Sequence, residues 1–330
     1  PQKKTKTGYS TDAQSLEKMR AEHPIVEDLL QYREVEKLRS TYGEGLLAEV
    51  GEGNRIRATF QQTVARTGRL SSDQPNLHNI PVRSERGRVF RTAFVAPEGH
   101  KLLIADYDQI ELRCIAHLAE DPGLIGAFEA GDDIHTATAA AVFDIAPKDV
   151  HVEERSKAKM VSYGLAYGME AYGLAQRLNI PVPEASEILE SYFAAFPAVK
   201  QYMEDTVELA RERGYTETLF GRRRQIPELS SNNRQIRQAG ERQAMNAGIQ
   251  GLAADIFKVA IVNLDKVLED EGLKSSIVLQ VHDEIIVEAP DAEVEQAGEL
   301  MTTIMRDAYE LSVPLEIDLQ IADTWADAKG

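Results

Sequence analysis

Two short acidic segments, far apart in the chain, hold the residues best suited to chemistry. Asp106-Tyr107-Asp108-Gln109-Ile110-Glu111-Leu112-Arg113 follows the apolar run 101–105. Val281-His282-Asp283-Glu284 lies between the apolar runs 277–281 and 285–287 and reads as a hairpin tip. His-Asp lacks the turn chemistry of Asn-Gly or Asp-Gly, which suggests another duty there. Carboxylates at the ends of buried strands repel one another unless cations lie between them. Two hard cations about 3.5–4 Å apart, held by carboxylates, serve in-line displacement at phosphorus. Either segment alone fits equally well a strand that simply ends at the surface.

A second constellation is basic. Arg155, Lys159, Tyr163 and Tyr167 recur every four residues in a stretch without proline and follow one helix face. Like charges at this spacing cost a few tenths of a kcal/mol, a cost that a shared anion removes. Two tyrosine rings beyond them offer a stacking surface for a base or sugar. The face reads as a nucleotide laid lengthwise, or as a solvated basic turn followed by core tyrosines. His135 opens a helix rich in Ala and Thr and fits either a phosphate donor or a cap. Arg222, Arg223 and Arg224 fit either a grip on a phosphodiester backbone or an exposed loop. Arg242, Asn246 and Gln250 share another helix face. Such a row can read minor-groove acceptors, which are similar at every base pair, or simply face water. Leu252, Ile256 and Val259 predict that the neighbouring side of that helix packs in a core.

The elements that must position these groups alternate in type. Two helices are predicted within 10–50, a strand within 55–64, and a polar stretch with six arginines at 66–91. Helical patterns run from Ile110 to about Pro227, broken at Pro122, Pro147, Pro181 and Pro197. A helix over 233–268 precedes the acidic hairpin, and a helix over 292–311 precedes a strand over 315–321. Strands enclosing a long helical insertion predict a mixed α/β (α+β) fold. The 330 residues suffice for a large core, and 43% hydrophobic with 28% charged residues is ordinary for a globular chain. No apolar run approaches the roughly 20 residues of a membrane span, so no membrane partner is expected. The single cysteine, Cys114, excludes an internal disulfide and a cysteine-rich zinc site, and fits a core role in a reducing compartment. The net charge of −17 argues against nucleic acid only if it is evenly spread. Acidic residues dominate 265–330, while Lys and Arg cluster at 3–6, 83–91, 155–159 and 222–242, as a basic cleft in an acidic shell would require. The chain begins at Pro1 in a polar run and reads as part of something longer.

Thr67-Gly68-Arg69-Leu70-Ser71-Ser72, the segments 106–113 and 155–168, Gln250-Gly251 and the segment 281–284 resemble, in order and spacing, the motifs of family A DNA polymerases. The resemblance covers nearly the whole chain. It implies a right-hand architecture with an antiparallel palm sheet (56–117 and 228–330), helical fingers (118–227) and a partial helical thumb (1–55). It implies DNA-directed DNA synthesis in replication and repair: nucleotidyl transfer from a dNTP to a primer 3′-hydroxyl with release of pyrophosphate. Asp106, Asp283 and the carbonyl of Tyr107 would bind two Mg2+ ions, with Mn2+ able to substitute. Glu284 and Lys159 join the two aspartates among the catalytic groups. Glu111 would block a ribonucleotide's 2′-hydroxyl. His135, Arg155 and Lys159 would hold the triphosphate, with Tyr163 and Tyr167 on the sugar and templating pair. Arg69, Asn76, Arg242, Asn246, Gln250 and His282 would contact primer–template DNA. A monomer in the bacterial cytoplasm, associated with the nucleoid, is expected.

Asp108 stands where many members of the family carry serine. It shares a face with Asp106 if the strand continues past Tyr107, so its role stays open. The upstream exonuclease-like and nuclease domains of the family are expected to be absent from this chain. The incomplete thumb motivates one alternative, a DNA-binding polymerase fragment with little activity of its own. A relative that makes or copies RNA is another, and Glu111 argues against ribonucleotide use.

Overall fold

The structure, a computed structural model, describes residues 4–6, 8–81 and 85–327. Lys3 and Arg83, members of two expected basic clusters, lie outside the described residues. The chain divides into two compact units. One comprises 1–61, 72–95 and 324–330, the other 62–71 and 96–323. Each is taken by itself.

The first unit contains the helix Pro24–Lys37, which begins with proline in its first turn behind His23, whose imidazole accepts from the Ile25 amide at 3.1 Å. A strand forms only over Thr59–Gln61, shorter than expected for 55–64. Most of that stretch is exposed and has no face to bury. Trp325, 1% exposed, packs under the Arg91 guanidinium at 3.9 Å and edge-on to Phe94.

The second unit is built on four antiparallel strands: β1 (His100–Tyr107), β2 (Ser276–Val281), β3 (Glu284–Pro290) and β4 (Ile317–Ala322), in the spatial order β4-β1-β3-β2. β2 and β3 are the predicted hairpin, closed by the pair Val281 and Glu284, so His282 and Asp283 form a two-residue tip. Alternation sends Leu103, Ala105, Ile285 and Val287 to one face, where they are fully buried. Each such Leu, Val or Ile side chain contributes about 1.5–3 kcal/mol.

The helical insertion runs through α1 (Ile110–Ala119), α2 (Pro122–Glu129), α3 (Ile134–Phe143), α4 (Val152–Ala166), α5 (Ala171–Leu178), α6 (Val182–Ala195) and α7 (Pro197–Arg213). Pro122 and Pro197 start helices, as the breaks in the pattern predict. The helical reading fails at 215–225. A short hairpin pairs Tyr215–Glu217 with Arg223–Gln225 there. Gly214 at φ +77 ends α7, and Gly221 at φ +79 makes the turn.

α8 (Arg234–Asp270) is capped by Asn233, and α9 (Val294–Arg306) is shorter than the predicted 292–311. An 18-residue stretch of α8 is long and apolar enough to cross a membrane, but 72% of it is buried inside the fold. Leu252 and Ile256 are fully buried as expected, and Val259 is half-buried. Cys114 is buried in the same core.

Candidate active site

The acidic end forms where β1 meets the hairpin tip. Asp106 stands directly opposite Glu284 on β3 and opposite Asp318 on β4. Opposed residues of antiparallel strands share a face, so the three carboxylates form a row across the sheet. Glu284 is buried and Asp318 exposed. The Tyr107 amide donates to the Asp283 carbonyl at 3.3 Å, which fixes the tip beside the end of β1. The exposed His282 takes a left-handed φ of 55°, and its carbonyl accepts from the Gln280 side chain at 2.6 Å. Tyr107 is buried, and its hydroxyl donates to the Met305 carbonyl at 2.6 Å.

The strand does not continue past Tyr107. The Asp108 amide donates to the Glu316 carbonyl at 2.9 Å, and Gln109 turns left-handed at φ 56° into α1. The ladder thus gains one hydrogen bond beyond the Tyr107–Ile317 pair before the chain turns. Asp108 meets Arg113, a guanidinium 2% exposed. Arg113 donates to the Asp108 carboxylate at 3.3 Å, the Asp108 carbonyl at 2.8 Å and Glu316 at 2.8 Å, and lies over the Phe128 ring. Arg113 thus builds the turn that carries the acidic segment.

Glu111, in the first turn of α1, is 4% exposed and accepts from Arg69 at 2.8 Å. The same Arg69 nitrogen lies 3.4 and 3.5 Å from the Asp283 oxygens. One cation thus joins the two acidic segments. Burial works against its charge, but Asp283 and Glu111 outweigh burial and hold it protonated. Burial pushes the Glu111 carboxyl up, opposed by Arg69. Among the described residues no three His, Cys, Asp or Glu side chains converge as a metal cage. Mg2+ needs no such cage. It is usually held by one or two carboxylates, with waters and substrate phosphates completing the shell. The hard oxygens of Asp106 and Asp283 fit that pattern.

The basic end is the face of α4. Arg155 pairs with Asp133, Nη2 to Oδ2 at 2.6 Å and Nε to Oδ1 at 3.1 Å. Asp133 also caps α3 by accepting from the Thr136 amide at 2.7 Å. Burial pushes the Asp133 carboxyl up, but Arg155 and Thr136 prevail and hold it at about 2. The cap is therefore Asp133, and His135 is free of that duty. His135 is 3% exposed, its ring lies 5.6 Å from that of Tyr163, and its Nδ1 has no hydrogen-bond partner. Burial first, then the neighbouring Lys159, pushes its imidazole down to about 4, so it is neutral at pH 7. The exposed Lys159 ammonium lies 6.0 Å from the Tyr163 ring centre. Burial pushes the Tyr163 hydroxyl up to about 12, and the nearby charges of Asp108, Glu111 and Asp106 add to this. The basic face and the acidic end therefore share one electrostatic environment around Tyr163. Tyr167 ends α4, 48% exposed, beside Glu111 and Arg69.

Arg242, Asn246 and Gln250 do not simply face water. Arg242 pairs with Glu170 at 3.2 Å, and Gln250 donates to the Ala166 carbonyl at 3.3 Å. A Cβ on Gly168 would come within 2.7 Å of Asn246 Nδ2, so the row lies against the end of α4. The run Arg222–Arg224 is neither a free grip nor a bare loop. Arg222 pairs with buried Asp255, Arg223 with Glu217 at 2.7 Å, and Arg224 donates to Gln243 at 2.8 Å. Asn76 is exposed and belongs to the first unit. Sequence reasoning missed Asp133, whose signal was present as a cap three residues before Thr136. It also missed Asp318 and Asp255, which carry no local signal.

The sequence matches the profile of DNA polymerase family A over residues 1–327. It is 50% identical to DNA polymerase I of Geobacillus stearothermophilus over 99% of this chain, and 48% identical to that of Mycobacterium tuberculosis strain H37Rv over 98%. The chain spans only 38% and 36% of the length of these two relatives. A solved structure, the POL domain of Pol1 from M. smegmatis in complex with DNA primer-template and dNTP, is 49% identical. It superposes with a TM-score of 0.94 over 99% of this chain and 58% of that one. The acidic strand ends, the basic helix face and the match over residues 1–327 agree: this chain belongs to DNA polymerase family A.

Proposed function

We propose that the chain carries out template-directed DNA synthesis, transferring a nucleotide from a dNTP to a primer 3′-hydroxyl with release of pyrophosphate. One observation carries this reading. The Arg69 guanidinium donates to Glu111 at 2.8 Å and lies 3.4 Å from Asp283, so the two acidic segments converge on one cation, in a chain whose residues 1–327 match the DNA polymerase family A profile. The similar POL domain, whose description names primer-template and dNTP, supports the same partners. Residues 56–117 and 228–330 would serve as palm, 118–227 as fingers and 1–55 as part of a thumb, in a monomer working in the cytoplasm.

Asp106, Asp283 and the Tyr107 carbonyl would hold two divalent ions, whose chemistry is a lowered pKa at the primer hydroxyl and neutralised charge on the leaving pyrophosphate. The chain's own part is positioning. Arg155, Lys159 and His135 would bind the triphosphate. Arg155 can exchange Asp133 for phosphate cheaply, because both side chains are 42% exposed and such pairs are worth about 0–1 kcal/mol. The unpartnered His135 Nδ1 would gain an acceptor. Tyr163 and Tyr167 would support sugar and base, and Glu111 would occupy the space of a 2′-hydroxyl. Arg69 would exchange part of its hold on Asp283 for the primer terminus. Arg242, Asn246, Gln250, His282 and Asn76 would contact the duplex, and Glu284 would lend its charge to Asp106 across the strands.

The test is extension of a labelled primer by this chain with four dNTPs and magnesium. Additions dictated by the template are expected. Tight duplex binding without addition would favour the reading as a DNA-binding fragment, and neither binding nor addition would end the polymerase reading for this chain.

A further inference from the structure

One buried acid has no part in the chemistry above. Asp255 lies in the middle of α8, 4% exposed. Both of its oxygens are engaged. Oδ1 accepts from Arg222 Nε at 2.7 Å and from its Nη2, and Oδ2 accepts from the Thr218 hydroxyl at 2.7 Å. Thr218 and Arg222 also close the 215–225 hairpin: the Thr218 amide donates to the Arg222 carbonyl at 3.0 Å, and the Arg222 amide donates to the Thr218 hydroxyl at 3.2 Å. The guanidinium is therefore fixed in position and orientation.

Gly68 rests on that plane. A Cβ at Gly68 would lie 2.5 Å from Arg222 Nε and 2.7 Å from its Cζ, and φ here is +84°. Only glycine meets both demands. On the α8 side, a Cβ at Gly251 would lie 2.5 Å from Thr218 Cγ2 and 3.8 Å from the Thr67 carbonyl. The Thr67-Gly68 backbone is thus seated on the Arg222 plane beside α8. The next residue is Arg69, whose guanidinium holds Glu111 and lies against Asp283.

We propose that Arg222, clamped by Asp255 and Thr218, is a positioning residue that seats the Thr67-Gly68 backbone and so fixes Arg69 on Glu111 and Asp283. A buried ion pair is weak evidence for a role in stability, since apolar residues often serve as well. The flat group beneath Gly68 supplies a reason for arginine in particular. The proposal rests on the polymerase reading for its consequence, the rate of nucleotide addition.

Arg222→Lys separates the two roles, because lysine keeps a cation for Asp255 but lacks the plane. The variant is expected to unfold close to the unmodified chain while losing about tenfold to a hundredfold in kcat, the scale of a misplaced positioning group. In an Arg69→Ala background the same change should cost less than about twofold, because the two residues act as one unit. Insertion by Arg222→Lys at the unmodified rate, or losses that multiply in the double variant, would overturn the proposal. If the unmodified chain adds no nucleotide, the polymerase reading fails by itself and a crystal structure of Arg222→Lys decides the brace. Arg69 displaced from Glu111 upholds it, and Arg69 still bonded to Glu111 ends it.

Discussion

Acidification should destabilise this chain through His135, and the size of the effect follows from its surroundings. The imidazole is 3% exposed, packs on Tyr163 and faces Lys159, Asp133, Arg155 and Asp108. Burial, then Lys159, pushes it down to about 4 in the folded chain, against about 6.5 when unfolded. Above the unfolded value both states are neutral and the group contributes nothing to pH dependence. Between the two values the unfolded chain binds the proton more readily, so stability falls as pH falls. The gap corresponds to about 2 kcal/mol at pH 5. Lys159 is exposed and screened by solvent, and halving the figure for that leaves about 1 kcal/mol. His135→Gln keeps a polar group but does not titrate. Urea unfolding of both proteins at about pH 7.5 and about pH 5 should show the variant gaining about 1 kcal/mol on the unmodified chain upon acidification. A difference between the proteins that stays constant, or moves the other way, would refute the argument. A neutral His135 at pH 7 also means that, in the proposed function, it would meet a triphosphate as a hydrogen-bond donor, with charge left to Lys159 and Arg155.

Glu111→Ala should raise ribonucleotide incorporation relative to deoxyribonucleotide in competition assays, since it removes the buried carboxylate assigned to the 2′-hydroxyl space; an unchanged ratio would move the sugar gate elsewhere. Tyr163 should let the chain accept dideoxynucleotides nearly as well as deoxynucleotides, because its hydroxyl supplies the polar group that the missing 3′-hydroxyl leaves unmade. Tyr163→Phe should restore discrimination in competitive incorporation with ordinary extension almost unchanged; strong rejection by the unmodified chain would sink this role.

What the sequence could reveal depended on how local each signal was. Periodicity found α8 almost to the residue, because a long buried stripe runs along it, whereas the Asn233 cap is seen only in the structure. The acidic hairpin was legible from two apolar runs around His282-Asp283, although only the structure shows that His282 turns left-handed. The hairpin at 215–225 was hidden inside a helical pattern, because its two strands are three residues each and too short to alternate visibly. The cationic residues were found, but the carboxylate partners of Arg155 and Arg222 were not. Asp133 precedes Arg155 by 22 positions, and Asp255 follows Arg222 by 33. Pairings at that distance follow from tertiary packing, which no local pattern encodes.

In the proposed function Asp106 and Asp283 carry the chemistry, and Asp283→Asn is the decisive substitution. The substitution keeps an oxygen that can accept from Arg69, and Arg69 keeps Glu111 at 2.8 Å, so the fold should hold. Single-nucleotide addition in magnesium should fall at least about a hundredfold, roughly 2.7 kcal/mol of barrier, while duplex affinity stays within about twofold. Near-normal addition by Asp283→Asn, with its fold and duplex affinity intact, would mean that Asp283 does not hold the ions.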